Sequence, residues 1–119
     1  MKDVGYFTKI FVARDHVDFR KQARGLAVVV KEVLAEYPLQ DKTLFVFVNR
    51  RKDSIKILYW DATGHALWSK TLEKARFKWL AKDAQSKITL NSRDLKWLLQ
   101  GVDLTKIKMH EKLTFSETH

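Results

Sequence analysis

"LFVFVNRRKDSIKILYWDATGHALW", residues 44–68, decides the fold. It holds three runs rich in Val, Ile, Phe, Tyr and Trp: residues 44–48, 55–60 and a run from 65 that continues to 72. Such side chains suit a pleated, half-buried surface. The connections, "NRRKDS" and "DATG", fit antiparallel hairpins, because a parallel crossover needs roughly a dozen residues or more. A fourth run at 76–80 follows the short link "EKA", and a weaker one, "KITL", lies at 87–90. The centre of the chain therefore reads as an antiparallel β-meander.

The same stretch is apolar on both faces. Leu44, Val46 and Val48 alternate with Phe45 and Phe47, and Ile55, Ile57 and Tyr59 alternate with Lys56, Leu58 and Trp60. A sheet with one wet face shows a polar residue at every second position. Both faces of this one need covering. A single long helix serves one face, which leaves the other to a short helix, the N-terminal strand, sheet curvature or a second copy of the chain. A homodimer through that apolar face is thus one expectation.

Flanking segments supply the helices. "YFTKIFV", residues 6–12, alternates as a strand does. "DFRKQARGLAVVVKEVLAEY", from Asp18 to Tyr37, reads as a long helix. Asp18 is placed to cap it, and Leu26, Val29, Val30, Val33 and Leu34 form its apolar stripe. Pro38 ends it. Gly25 inside it costs on the order of 1 kcal/mol relative to Ala, which a close neighbour would explain. "NSRDLKWLLQG" predicts a short second helix, capped by Asn91 or Ser92, with Gly101 past its end. The expected class is α+β: a meander of about four to six strands with one long and one short helix. Residues 1–103 form one domain, and 104–119 form a polar tail, extended or partly disordered.

Composition limits what such a domain does. The chain has 119 residues, a net charge of +9 and no cysteine. Without cysteine there is no thiol catalysis, disulfide framework or Cys-type zinc site. The start, "MKDVGYFTKI", lacks the apolar run of a signal peptide, and no stretch is long enough to span a membrane. A cytoplasmic location is the expectation. The positive excess points to a polyanionic partner, nucleic acid ahead of a membrane surface. Between Arg50 and Lys87 there are ten cations against four acids, six of the nine net charges.

Catalytic patterns fail on spacing. A nuclease-type site needs an acid and a lysine projecting to one face of a strand, at a separation of two. Asp53 and Lys56 are three apart, and Asp61 lies roughly 25 Å from Asp53 along an extended strand. His16, His65, His110 and His119 are isolated from one another. "DHVD", residues 15–18, reads as a helix cap or a weak metal cluster. No phosphate-cradling glycine loop and no Gly-x-Ser-x-Gly elbow occurs. No cofactor is implied.

The cations carry the remaining signal. Lys56 and Trp60 share one strand face by parity, and Trp68 and Lys70 share another. Such pairings suit stacking on single-stranded bases, or else tryptophans in a core with lysines at its rim. Arg20, Lys21 and Arg24 sit where the long helix begins, against the helix dipole, which suggests an acidic or phosphate partner.

Taken together, "DFRKQARGLA", "LFVFVNRRKDSIKILYWDATG", "KTLEKARFKW" and "LKWLLQGVD" resemble the TnpB accessory proteins, the second open reading frame, of the bacterial insertion-sequence family sixty-six. The resemblance runs from about Phe7 to Asp103. It departs at Gln22, Thr71, Ala75 and Leu80, where the family often has glycine, arginine, glycine and proline. Matching positions include Asp18, Arg20, Lys21, Arg50, Arg51, Asp53, Lys56, Trp60, Asp61, Lys70, Glu73, Arg76 and Trp79. The resemblance implies a non-catalytic protein that assists a separate transposase. The expected mechanism is DNA phosphate contact through Arg50, Arg51, Lys52, Lys70 and Arg76, helped by Arg20 and Lys21. The alternative is an adaptor whose basic surface docks on an acidic patch of the transposase.

Overall fold

The structure, a computed structural model, describes residues 4–35, 41–80 and 84–100. After a short 3-10 turn at Val4–Tyr6 come β1 (Lys9–Ala13), α1 (Ala23–Glu32), β2 (Thr43–Val48), β3 (Ser54–Asp61), β4 (Gly64–Thr71), β5 (Lys87–Leu90) and α2 (Ser92–Leu99). The strands form one sheet in the order β4-β3-β2-β1-β5. The class is α+β, with one longer and one short helix, as the sequence implied.

The meander forms where the short connections place it: β2, β3 and β4 pair antiparallel, Val46 opposite Ile57 and Ile57 opposite Trp68. The turn between β3 and β4 holds Ala62 at φ 55°. That left-handed geometry costs an L-residue roughly 1–2 kcal/mol. The pairing of β1 adds what the sequence reading did not draw: β1 lies parallel to β2, with Ile10 opposite Leu44. The helix between them carries the chain back so that both strands run the same way, as in any strand–helix–strand crossover. β5 then pairs antiparallel with the free side of β1. The sheet is therefore mixed.

Its two faces are covered by different parts of the chain. α1 packs Leu26, Ala27 and Val30 on the face formed by Ala13, Phe45, Phe47 and Leu58. The other face, with Ile10, Val12, Val46, Val48, Ile55 and Ile57, is closed by Leu95 and Leu98 of α2, by Val4 and Phe7, and by Phe77, Trp79 and Leu80. The second face is thus filled from within, which removes the premise for a dimer through it.

Residues 76–80, expected as a strand, are irregular. β4 and β5 are the two outer strands, so the segment joining them crosses the whole sheet. Phe77 and Trp79 alternate with exposed Lys78 because they face down onto the sheet during that crossing, and Leu80 is buried beside them. The Trp79 indole N–H donates to the carbonyl of Ala13, 2.8 Å away, which settles its one polar atom in a buried site.

The long helix is shorter than expected. It starts at Ala23, with Gln22 as N-cap and no side-chain cap, and stops at Glu32. Asp18 caps a separate turn upstream: its carboxylate accepts from the Arg20 backbone N–H, and its carbonyl accepts from the Lys21 N–H. Gly25 does have a close neighbour, since a Cβ there would lie 3.1 Å from Cβ of Lys21. α2 begins as expected, with the Asn91 side chain accepting from the Asp94 N–H at 2.8 Å. Pro38, Gly101 and the tail 104–119 fall outside the described residues.

Candidate nucleic-acid interface

Three cation-bearing segments meet at one end of the sheet, and backbone hydrogen bonds bring them there. The β2–β3 loop, residues 49–53, carries Arg50, Arg51 and Lys52. The segment after β4 joins it through the Leu72 N–H on the Asp53 carbonyl and the Phe77 N–H on the Lys52 carbonyl, 2.8 and 2.6 Å. Arg76 is therefore one residue from the loop's backbone. From the other side, the β1–α1 loop docks through the Val17 N–H on the carbonyl of Val48, 3.0 Å. Arg20, Arg50 and Arg51 then line one groove with His16, Asp18, Phe19 and Asn49.

Asn49 shapes the basic loop. Its side-chain oxygen accepts from the backbone N–H groups of Asp53 and Ser54, and its amide donates to the Asp53 carboxylate at 2.7 Å. That donation, with the Arg51 guanidinium 3.7 Å away, holds the Asp53 carboxyl below the usual carboxylate range. Lys52 completes the turn at φ 61°, its N–H on the carbonyl of Asn49. With Asn49, Lys52 and Phe77 tying the backbone down, Arg50 and Arg51 remain exposed at its tip.

Lys56 is the second organiser. Only 9% exposed, it points to the α1 face and donates to the carbonyls of Phe19 and Lys21 at 2.8 and 3.0 Å, under the Phe19 ring. It is a tether for the Arg20–Lys21 loop. Asp53 faces Asn49 and Lys56 faces these carbonyls, so the two share no site, as their spacing implied.

The expected site residues divide accordingly. Arg50, Arg51, Lys52 and Arg76 are exposed at one end, and Arg20 and Lys21 are exposed on the neighbouring loop. Arg20 is bound to Asp18 at 2.6 Å, which lowers the Asp18 carboxyl to about 2. Lys70 is different: its ammonium donates to the Leu99 carbonyl at the end of α2, on the sheet face opposite α1. Trp60 and Trp68 are half-buried, one packed on each core. The Phe, Tyr and Trp side chains among the described residues are buried or half-buried, and of them Phe19 lines the groove. Sequence reasoning missed Asn49, and it named Lys56 without its tethering role. An Asn opening a loop was the available signal for the first. The second needed the position of residues 19–21 in space.

The family comparison covers nearly the whole chain. A family model described as IS66 Orf2 like protein matches residues 8–109. The chain belongs to the IS66 Orf2-like family. This confirms the resemblance seen in the sequence, and membership makes the chain a transposition-associated accessory protein. The match includes every cation of the described end. Two proteins of Sinorhizobium fredii (strain NBRC 101917 / NGR234) are similar across most of their length. "Uncharacterized protein y4hO" is 34% identical over 99 residues, 83% of this chain and 84% of that one. "Uncharacterized protein y4jC" is 33% identical over 101 residues, 84% of each chain. No solved structure matches this IS66 Orf2-like chain significantly. Among the described residues, no helix is long and apolar enough to cross a membrane, and no group of three or more His, Asp or Glu is placed to hold a metal.

Proposed function

We propose that this IS66 Orf2-like protein assists transposition without catalysis of its own, by gripping duplex DNA through its phosphates. The observation that carries the reading is the bonding of the 49–53 loop to residues 72 and 77, which sets Arg50, Arg51, Lys52 and Arg76 at one exposed end. Arg20 and Lys21 extend the surface from the adjoining loop. Lys70 has a lesser part, because its ammonium is occupied at the end of α2. Phosphate contact fixes position and carries no sequence information by itself. With a single half-buried ring, Phe19, in the groove, single-strand stacking is the weaker mode.

Such binding releases counterions, so log K falls with log salt by about 0.9 per neutralised phosphate. Titrating element-end duplex over a potassium chloride series measures that slope. Replacing Arg50, Arg51 and Lys52 together by alanine lowers its magnitude by roughly 2–3 if all three meet phosphate. An unchanged slope removes the loop from the interface.

The adaptor reading has its own observation. Acids are interleaved with these cations, Asp18 on Arg20 and Asp53 beside Arg51, a pattern suited to exchanging carboxylate partners across a protein interface. A mobility-shift assay separates the two. A shift by the protein alone favours direct binding, and a supershift only with transposase favours the adaptor.

A further inference from the structure

A second concavity adjoins the basic groove and differs from it in chemistry. It lies between the β1–α1 loop and the C-terminal half of α1, with a volume of about 310 Å³. Ala13, Val17, Val29, Val33 and Leu34 supply its apolar lining. Asp15, His16, Asp18, Lys21 and Ser86 supply its polar groups. Val33 is 59% exposed, the largest exposure of any large apolar side chain among the described residues. A lone exposed valine means little, but this one is part of a cavity wall.

The charges select the occupant. Both carboxylates already have arginines on them: Arg14 binds Asp15 at 2.9 Å, and Arg20 binds Asp18 at 2.6 Å. Lys21 lowers the Asp18 carboxyl by its charge, but among the described residues no ion pair ties down its ammonium. His16 and Asp18 also border the groove that holds Arg20, Arg50 and Arg51. A ligand leaving the cavity over that border meets Arg50, with Arg20 and Arg51 beside it on Asp18 and Asp53, so cations still outnumber acids there. The cavity is at the small end for a cofactor site and suits one large side chain. DNA has no apolar side chain to place there.

We propose that this cavity receives a single large apolar side chain from an acidic segment of a partner protein, with flanking carboxylates on Lys21 and the arginine groove. Anchoring follows the usual division at interfaces, in which a buried aromatic supplies affinity and the charged rim supplies steering. The inference does not rest on DNA binding, and it is independent of which protein carries the segment.

The probe is a fluorescein-labelled peptide with one tryptophan between runs of glutamate and aspartate, titrated into the full chain by anisotropy. Exchanging the tryptophan for serine weakens binding about tenfold, the loss of a modest anchor. Val33→Gln, an exposed and uncharged change, weakens it by about threefold and leaves duplex DNA binding unaltered. Amide shifts on saturation include Val29, Val33 and Leu34. Equal affinity for the serine peptide overturns the proposal, since it reduces the contact to charge alone. So does tighter binding of a lysine-flanked tryptophan peptide. If duplex DNA fails to bind while the tryptophan peptide passes, the phosphate reading falls and this one stands.

Discussion

At the residue scale, two arginines of the basic end already sit beside acids, Arg20 on Asp18 and Arg51 near Asp53. The Asp18 carboxylate takes the guanidinium and the backbone N–H of Arg20, and both favour its ionised form. Its folded value, about 2, lies below the unfolded value near 4. A depressed carboxyl contributes stability that is present above the unfolded value and lost as pH falls through the folded one. An NMR titration of the Asp18 carboxyl carbon is therefore expected to show a midpoint near 2, moving up toward the ordinary range in Arg20→Ala. A midpoint near 4 in the parent chain removes the pair. Lys52 shows another kind of commitment. It tolerates a left-handed backbone worth roughly 1–2 kcal/mol because its N–H and carbonyl are both hydrogen-bonded. Its side chain is exposed as a consequence of how its backbone is used.

At the element scale, what was legible followed the local physics. The hairpins of β2, β3 and β4 could be drawn from loop length, and the α2 cap as Asn91 or Ser92, of which Asn91 is the one used. The start of α1 could not. Asp18 has the chemistry of an N-cap, yet its carboxylate closes an earlier turn, and the helix waits until Ala23. What holds the intervening residues is Lys56, from a strand more than thirty positions away. The groove has the same origin: three arginines were legible as charge, but their common wall was not, because it depends on Val17 meeting Val48. Residues 76–80 show the converse error, since alternation reports which side is buried without reporting whether a ladder exists. The tether is testable. Lys56→Met keeps most of the stem but removes two charge-assisted hydrogen bonds, so unfolding stability drops by about 1–3 kcal/mol. Proteolysis or hydrogen exchange should locate the loosening at residues 18–22. Loosening spread evenly through β3 contradicts the tether.

At the scale of the whole molecule, charge and greasiness are segregated. Arg20, Lys21, Arg50, Arg51, Lys52 and Arg76 are exposed on neighbouring segments, while both sheet faces are closed by the chain's own helices, turn and crossing segment. The apolar strand face for which a second copy was one possible cover is covered by the chain's own residues. Light scattering on a dilute sample is expected to give the mass of one chain, and a stable dimer there would mean another surface pairs. The position of β1 has a consequence for assembly in time. It sits inside the sheet, between β2 and β5, though it is the first strand made. Its partner Leu90 lies eighty positions downstream of Ile10. The entropy of closing that span comes before the contacts that reward it, which slows folding relative to helical chains of this size. On the ribosome, the first strand must wait with one edge open until the last has emerged.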